Sequence, residues 1–226
     1  MPTPLPQSDS CKRVFIVDDH PMMRQGIAHL IADVPDLILC GEAGDSRNAM
    51  EAIAKLAPDI VLADITLPDR NGLEMIKDLV TINPRITVLV VSMHEESLYA
   101  ERALRAGARG YVMKHEGGAR LLEAIRQVLG GQVAVSSKIS SRILESFSGR
   151  RTKGETTAVE QLTDREFEVF QLIGSGRSTR EIADQLQLSA KTVEAHRSNI
   201  KAKLDLKSAP ELISFAARWS HHSGTN

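Results

Sequence analysis

The sequence predicts an α/β fold in which a doubly wound sheet of five parallel strands is followed by a small all-α domain. From Arg13 to residue 130, short apolar runs alternate with helical patterns of about 10–15 residues, which is typical of a parallel sheet covered by helices on both faces. Right-handed crossovers make 2-1-3-4-5 one common strand order for such a sheet. After residue 157 no strand pattern follows, and helix-start signals recur at short intervals.

The predicted strands are short, partly β-branched apolar runs bounded by turn-forming residues. They cover residues 14–17, 37–41, 60–63, 87–91 and 110–113. The third run stops at Asp64 and passes into a loop with Pro68 and Asn71-Gly72, which are strong turn formers. Apolar residues at helical spacing predict helices within residues 23–34, 46–56, 73–82, 95–106 and 119–129, after which Gly130-Gly131 closes the domain.

Composition excludes several classes of protein. The chain has 226 residues, of which 42% are hydrophobic and 25% charged, as in a globular protein of one or two domains. A net charge of -1 gives no global attraction to a polyanion, so a nucleic-acid surface has to be local. Cys11 and Cys40 lack metal-ligand spacing and are interpreted as reduced thiols. The N-terminus does not resemble a signal peptide, and no apolar run reaches the roughly 18–20 residues of a membrane helix, so we expect a soluble, cytoplasmic protein.

The patterns divide the chain into a domain at residues 12–130, a linker at 131–157 and a second domain at 158–223. Residues 136–147 of the linker predict a short amphipathic helix, whose apolar face carries Ile139, Ile143 and Phe147. Residues 148–157 have nothing to bury and predict a flexible connection. The Pro- and Ser-rich residues 1–11 predict disorder.

The second domain is predicted to contain four short helices. Capping boxes mark helix starts at Thr163, Ser178 and Ser208, and a fourth helix can start at Ser189. Only two residues separate the middle pair, and so tight a connection predicts a helix-turn-helix. The second helix of such a motif fits the major groove of DNA.

The helix after Ser189 has one apolar face and one face of small and charged residues. From Ser189 to Lys207, five cations stand against two acids, a local charge of +3. A charged helix face is usually only solvated, so the position of this helix within the helix-turn-helix is what favours DNA binding. The face opposite the apolar one comprises Lys191, Glu194, Ala195, Ser198, Lys201 and Ala202.

Chemically active side chains follow four of the predicted strands. Asp18-Asp19, Asp64, Ser92 and Lys114 come directly after strands 1, 3, 4 and 5, whose carboxyl ends meet at one edge of the sheet. Each residue alone has an ordinary interpretation as a helix cap, a strand-end hydroxyl or a solvated charge. Together, three carboxylates repel one another without a cation, and their hard oxygen ligands suit Mg²⁺. A carboxylate nucleophile beside Mg²⁺, a hydroxyl and an ammonium is what phosphoryl transfer requires.

Residues 13–130 resemble the receiver domain of two-component response regulators, whose sheet is flavodoxin-like. The matching positions are Asp18-Asp19, Asp64 in Asp-Ile-Thr-Leu-Pro-Asp-Arg-Asn-Gly, Ser92, and Lys114 at the end of Gly-Tyr-Val-Met-Lys. The resemblance implies that Asp64 is the phospho-acceptor and that Ser92 and Lys114 bind the phosphoryl group. It also implies that Tyr111 changes rotamer together with Ser92. The family often has Thr at this position, and Ser92 preserves the hydroxyl.

The same resemblance implies a Mg²⁺ site. Asp19 and Asp64 would bind the ion directly, together with the backbone carbonyl of Thr66, and Asp18 would act through water. Thr66 and His94 occupy positions that, in the family, tune how long the phosphoryl group survives.

Residues 158–222 resemble the LuxR-type DNA-binding domain, which together with a receiver defines the NarL/FixJ subfamily. The motifs are Leu162-Thr163-x-Arg165-Glu166, Gly176-x-Ser178-x-x-Glu181-Ile182-Ala183 and Ser189-x-x-Thr192-Val193-x-x-His196-x-x-x-Ile200-x-x-Lys203-Leu204. By this resemblance, base edges are faced by Glu194, Ala195 and Ser198, with Arg197 beside them. Phosphates are contacted by Lys191, Thr192, Lys201 and Lys203. On the last helix, one side either packs inward or forms a dimer surface, and its residues are Leu212, Phe215, Ala216 and Trp219.

The resemblance implies a regulator rather than an enzyme. A sensor histidine kinase would phosphorylate Asp64, and the modified protein would bind paired half-sites of double-stranded DNA as a homodimer, with RNA polymerase as a further candidate partner. One alternative is a DNA-binding regulator that does not depend on phosphorylation. A second is a phosphatase or nucleotide-binding enzyme with the same acidic edge, against which the lack of a Gly-rich phosphate loop counts. A third is an interaction module that has lost DNA binding, against which the basic margin counts.

Overall fold

The computed structural model describes residues 11–147 and 158–223, which divide into two units between Ile139 and Ser140. The predicted disorder of residues 1–10 and the predicted flexible connection at 148–157 lie outside the described residues. Within the described ranges, no helix has the length and apolar character needed to cross a bilayer.

A parallel sheet forms the centre of the first unit. Its strands are β1 (Lys12–Val17), β2 (Leu37–Ala43), β3 (Ile60–Ala63), β4 (Thr87–Ser92) and β5 (Gly110–Met113). They lie in the order β2-β1-β3-β4-β5 and every neighbouring pair is parallel, which confirms the predicted topology. All four residues of β3 are buried, as expected of a strand covered on both faces.

Five helices follow the strands in turn: α1 (Pro21–Ala32), α2 (Ser46–Leu56), α3 (Gly72–Ile82), α4 (Glu96–Ala106) and α5 (Gly118–Leu129). Ile31 of α1 and Ile125 of α5 pack with Ile16 and alternate strand residues in one core cluster. Helix α3 lies between α2 and α4. Its start is fixed by Asn71, whose side chain accepts a hydrogen bond from the Leu73 amide at 2.8 Å.

The chain remains attached to the sheet after α5. Ala134 forms a parallel bridge to Gly110, its carbonyl accepts a hydrogen bond from the Tyr111 amide at 2.8 Å, and its side chain is buried. The predicted amphipathic helix is present as α6 (Ser137–Phe147), and Ile139 is buried. Residues at the start of the predicted linker at 131–157 are therefore attached to the sheet. The side chain of Phe147 lies outside the described part of α6.

The second unit contains the four predicted helices: α7 (Asp164–Gly174), α8 (Thr179–Gln185), α9 (Ala190–Lys203) and α10 (Ala209–Ser223). Thr163 and Ser178 form complete capping boxes with the third residue of α7 and α8. The capping box predicted at Ser208 is incomplete. The Glu211 carboxylate, expected to accept from the Ser208 amide, accepts from the Lys207 amide at 2.8 Å. Ser208 still accepts from the Glu211 amide at 3.3 Å.

The apolar side of α10 packs inward. Leu212 and Ala216 are fully buried, and the Trp219 ring meets the rings of Phe167 and Phe170 edge-on at 5.5 Å. Gly174 allows this approach, because a Cβ there would lie 2.7 Å from the Ala216 carbonyl oxygen. Of the two interpretations of this side of α10, inward packing holds for Leu212 and Ala216, while Phe215 and Trp219 are half-buried and the dimer surface stays a prediction.

Candidate phosphoacceptor site and DNA interface

The parallel sheet brings four functional side chains to one edge of the first unit. Val17 pairs with Ala63, and Ala63 with Val90, so β1, β3 and β4 end nearly level. Ser92 pairs with Met113 at the end of β5. The residues that lie at or after these ends are Asp18, Asp64, Ser92 and Lys114.

Lys114 lies between two buried carboxylates. Its Nζ is 2.7 Å from Asp18 Oδ2 and 2.6 Å from Asp64 Oδ2, and the three side chains are only 2–3% exposed. Burial by itself lowers the pKa of an ammonium, but the attraction of Asp64 and Asp18 and their hydrogen bonds outweigh it and raise the pKa of Lys114. Lys114 is therefore a fixed positive charge beside the Asp64 carboxylate.

Backbone groups hold the other oxygen of Asp64. Oδ1 accepts from the Ile65 amide at 2.7 Å and from the Thr66 amide at 3.4 Å. The Gly72 amide donates to the Ile65 carbonyl at 2.7 Å, and a Cβ at Gly72 would lie 2.1 Å from the Asp64 carbonyl oxygen. Only glycine permits this closure of the loop, so Gly72 is part of what orients Asp64.

Acidic and imidazole groups gather beside Asp64. Asp18, Asp19, His20 and Asp64 each offer a ligand atom, and these atoms lie within 4.8 Å of one another. Asp19 Oδ1 is buried and lies in close contact with His20 Nδ1. Three carboxylates that offer oxygen atoms within 4.8 Å of one another fit a divalent cation with oxygen ligands.

A chain of contacts connects Ser92 and Tyr111 through His94. Ser92 is fully buried, and its Oγ accepts from the His94 amide at 3.4 Å. The Tyr111 hydroxyl donates to the His94 carbonyl at 2.9 Å, and the ring is 1% exposed. Burial raises the pKa of Tyr111 far above its ordinary value, so the phenol stays protonated and remains a donor. His94 Nε2 lies 3.0 Å from Thr66 Oγ1, which brings both predicted lifetime-tuning positions together.

Helix α9 presents the predicted DNA-facing side to solvent. Ser189 caps it by accepting from the Thr192 amide at 3.0 Å. Val193 and Ile200 are fully buried and face the core of the second unit. Lys201 and Arg197 are half-buried, while the other side chains predicted to contact DNA are exposed, namely Lys191, Thr192, Glu194, Ala195, Ser198 and Lys203.

Three side chains on the exposed side of the helix-turn-helix are tied together. The Thr179 hydroxyl of α8 donates to Glu194 Oε1 at 2.7 Å and accepts from Arg197 Nη1 at 3.1 Å. Arg197 Nε also lies 3.7 Å from Glu194 Oε1, and its side chain is only 12% exposed. Thr179 thus orders Glu194 and Arg197, two residues predicted to lie at base edges.

Lys203 has a partner within the second unit. Its Nζ lies 2.6 Å from Oε2 of Glu166, the buried carboxylate of the α7 capping box. Burial alone would raise the pKa of Glu166, but Lys203 and the Thr163 hydrogen bonds outweigh it and hold that pKa below its ordinary value. The pair joins the start of α7 to the end of α9.

Sequence reasoning did not single out His20, Thr179 or the partner role of Glu166. His20 could have been noticed in the sequence, because imidazole is a common metal ligand and this histidine directly follows the two acids. The contact of Thr179 with Glu194 spans 15 residues and that of Lys203 with Glu166 spans 37. No local pattern in the sequence reports either contact.

Comparison with protein families identifies both units. Residues 14–126 match the response regulator receiver domain. Residues 160–216 match the luxR family of bacterial regulatory proteins. The two matches cover the acidic edge of the sheet and the helix-turn-helix respectively.

Two curated relatives match 91% of the chain, and solved structures match smaller or similar shares of it. Response regulator GacA of Pseudomonas aeruginosa is 35% identical over 207 residues, which cover 91% of this chain and 95% of GacA. Oxygen regulatory protein NreC of Staphylococcus aureus is 33% identical over 210 residues, which cover 91% and 97%. A LuxR-family response regulator from Aurantimonas sp. SI85-9A1 has a solved structure with 36% identity and a TM-score of 0.57, covering 62% of this chain and 99% of its own. RcsB of Salmonella enterica serovar Typhimurium has the same fold at 24% identity, with a TM-score of 0.62 and coverage of 92% and 98%.

A receiver followed by a LuxR-type helix-turn-helix defines a class of two-component response regulators that control transcription. This chain belongs to that family, within its NarL/FixJ subfamily.

Proposed function

We propose that a sensor histidine kinase transfers a phosphoryl group to Asp64, and that this modification controls DNA binding and transcription of target genes. The observation that carries the proposal is the position of the Asp64 carboxylate, held by the Lys114 ammonium at 2.6 Å and the Ile65 amide at 2.7 Å beside an acidic cluster. A carboxylate so oriented is a suitable nucleophile for phosphoryl transfer.

Each side chain at the sheet edge has a role in this transfer. Lys114 neutralises charge on the transferred oxygens, and the Ser92 hydroxyl donates to one of them. Asp19, Asp64 and the Thr66 carbonyl would hold Mg²⁺, with Asp18 acting through water. When bound, the ion supplies the charge neutralisation that phosphoryl transfer needs.

The phosphorylated state differs from the free state by roughly -1.5 to -2 charges, by analogy with other phosphorylated side chains. Reorientation of Ser92 toward the phosphoryl group would release the His94 amide contact. The His94 carbonyl also accepts the Tyr111 hydroxyl bond, so a shift of the freed His94 backbone would weaken the bond that holds Tyr111 in its present rotamer. Phosphorylation would then shift a pre-existing equilibrium of the surface around α4 and β5.

The output is binding of α9 in the major groove of double-stranded DNA. The residues assigned to bases are Glu194, Ala195, Arg197 and Ser198, and those assigned to phosphates are Lys191, Thr192, Lys201 and Lys203. RcsB has been solved bound to promoter DNA and, in another structure, as two dimers on two parallel DNAs, which supports a homodimer on paired half-sites here. RNA polymerase is a further proposed partner, and a regulator that binds the chromosome of a bacterium acts in its cytoplasm.

The proposed function assigns no turnover of an external substrate, because the one nucleophilic carboxylate is itself the acceptor. Steady hydrolysis of a small phosphomonoester by the purified protein would contradict this and restore the enzyme alternative.

The test is the mobility of the full chain on genomic DNA fragments with and without acetyl phosphate and Mg²⁺. Wild-type binding should tighten with the phosphodonor, and Asp64→Asn, which keeps the side-chain shape, should fold, take no phosphoryl label and show no response. Binding indifferent to the donor and to the substitution would instead support a phosphorylation-independent regulator. Label on Asp64→Asn at the wild-type rate would show that the acceptor is misassigned.

A further inference from the structure

We propose that His20 adds an imidazole nitrogen to the acidic site, so that the receiver binds divalent transition ions such as Co²⁺ more tightly than its carboxylates alone would. The inference rests on the metal site proposed above and concerns the one nitrogen ligand among its candidate donors.

The location of His20 supports a role other than helix capping. His20 is the N-cap residue of α1 and precedes Pro21, yet its side chain makes no capping hydrogen bond. N-cap positions favour Ser, Thr, Asp and Asn, whose short side chains bond the first turn. The imidazole is instead turned toward the carboxylates, with Nδ1 3.3 Å from Asp18 Oδ1 and against Asp19 Oδ1.

Lys114 and His20 occupy opposite parts of the cluster. Lys114 binds Oδ2 of Asp18 and Oδ2 of Asp64, whereas His20 faces Oδ1 of Asp18 and of Asp19. The His20 amide donates to Asp18 Oδ1 at 2.9 Å and fixes the loop in this orientation. The imidazole is 63% exposed, so an ion entering from solvent meets it together with the Asp19 oxygen that it contacts.

The donor set determines which ion is favoured. Oxygen-only sites suit Mg²⁺, while an imidazole nitrogen adds affinity for the borderline ions Co²⁺, Ni²⁺ and Zn²⁺. Ligand atoms within 4.8 Å of one another are close enough to meet around one ion. Removal of the imidazole should therefore weaken binding of a transition ion selectively and leave Mg²⁺ binding nearly unchanged.

The experiment is calorimetric titration of the full chain with Mg²⁺ and, separately, with Co²⁺. The variants are His20→Asn, which retains a favourable N-cap residue, and His29→Asn, a control at an exposed histidine on the same helix. His20→Asn should lower Co²⁺ affinity by about tenfold or more, as loss of groups that support a metal site does. Mg²⁺ affinity should stay within about twofold, a difference of only about 0.4 kcal/mol, and His29→Asn should match wild type. The visible absorption of bound Co²⁺ gives a second readout, because its bands change when a nitrogen ligand is lost.

The outcomes separate the inference from the function on which it rests. Equal Co²⁺ affinity and equal spectra in wild type and His20→Asn would overturn the inference while leaving the metal site intact. Equal losses of Mg²⁺ and Co²⁺ would also overturn it and assign His20 a positioning role. If neither ion binds wild type more tightly than it binds Asp19→Asn, the metal site of the proposed function is itself wrong.

Discussion

The two units each contain a lysine–carboxylate pair with the same separation in very different surroundings. Lys114 and Asp64 are 2.6 Å apart with 2–3% exposed side chains. Lys203 and Glu166 are also 2.6 Å apart, but the lysine is 35% exposed. Distance therefore does not distinguish the two pairs. What differs is access to water and the number of charges that depend on the lysine.

The surroundings decide what remains when one partner is removed. Without Lys114, two buried carboxylates, Asp18 and Asp64, keep their amide hydrogen bonds but lose the cation that both of them contact. Without Lys203, a single carboxylate keeps its hydrogen bond from the Thr163 amide at 2.8 Å. The first pair is thus a site that requires a cation, and the second is a structural tie between two helices.

Lys114→Met should have the largest effect on stability. Loss of the ammonium leaves two buried carboxylates without their shared cation and should lower the free energy of unfolding of the first unit by about 3–5 kcal/mol. Added Mg²⁺ should restore part of the loss, because a cation replaces a cation. Both tyrosines lie in this unit, so near-ultraviolet circular dichroism of tyrosine follows its unfolding.

The matched control is Lys12→Met, since Lys12 pairs with Asp59 at 3.1 Å at the surface of the same unit. An exposed pair contributes about 0–1 kcal/mol, so this variant should stay close to wild type. Equal effects of the two substitutions would contradict the distinction between a buried and an exposed pair.

Glu166→Gln should have an intermediate effect on the second unit. Glutamine can still accept from the Thr163 amide but loses the charged bond to Lys203, worth about 1.5–3 kcal/mol. The folded pKa of Glu166 lies below its ordinary value of 4.5, so this stabilisation is present above about pH 4.5 and is lost as pH falls through the folded pKa. Fluorescence of Trp219, the one tryptophan of the sequence, should therefore show wild type and variant converging in acid.

Glu181→Gln is the control, because Glu181 has the same capping-box position in α8 but is exposed. It should lose less stability than Glu166→Gln. Parallel pH profiles for wild type and Glu166→Gln would show that Lys203 contributes no charge-dependent stability.

Thr179→Val should change DNA recognition more than stability. Valine keeps the shape but removes the hydroxyl that orders Glu194 and Arg197, at a cost of about 1 kcal/mol. Selection from randomised duplexes should show weaker preference at the base pair near Glu194, and Thr179→Ser should retain it. An unchanged preference in Thr179→Val would place Glu194 away from the bases.

Lys201→Ala should have the smallest effect and no sequence dependence. Loss of one phosphate contact should weaken binding to all duplexes alike and reduce the salt slope of log K by about one. Fluorescence anisotropy across a series of salt concentrations measures the slope. Lys55→Ala, in the receiver, should leave the slope at the wild-type value, and an unchanged slope in Lys201→Ala would exclude a phosphate contact there.

Much of the receiver was predictable because its signals are local. The bounds of β3 and α2 agree with the prediction, since an apolar run and apolar residues at helical spacing mark them in the sequence. Strand ends at Asp64 and Lys114 followed from the same runs, and parallel pairing then brings these side chains to one edge. The helix starts at Thr163 and Ser178 were equally readable, because a capping box spans only four residues.

What escaped prediction depends on contacts between distant segments. The attachment of the predicted linker to the sheet depends on the pairing of Ala134 with Gly110, which no local pattern reports. The sequence placed Asp18 at the sheet edge but did not show its direct contact with Lys114, nor that His20 takes the N-cap position of α1. Inward packing of Trp219 on Phe167 and Phe170 likewise depends on two helices meeting.

The bridge between Ala134 and Gly110 has a practical consequence for dissecting the protein. A receiver cut at residue 130 would expose the Tyr111 amide, which now donates to Ala134, and would remove the Ser136 amide from Glu96 at 2.7 Å. The segment that carries the chain out of the receiver is thus hydrogen-bonded to the backbone of Tyr111 and to the first residue of α4. Fragments that end after Ile139 keep both hydrogen bonds, whereas a fragment that ends at residue 130 lacks both.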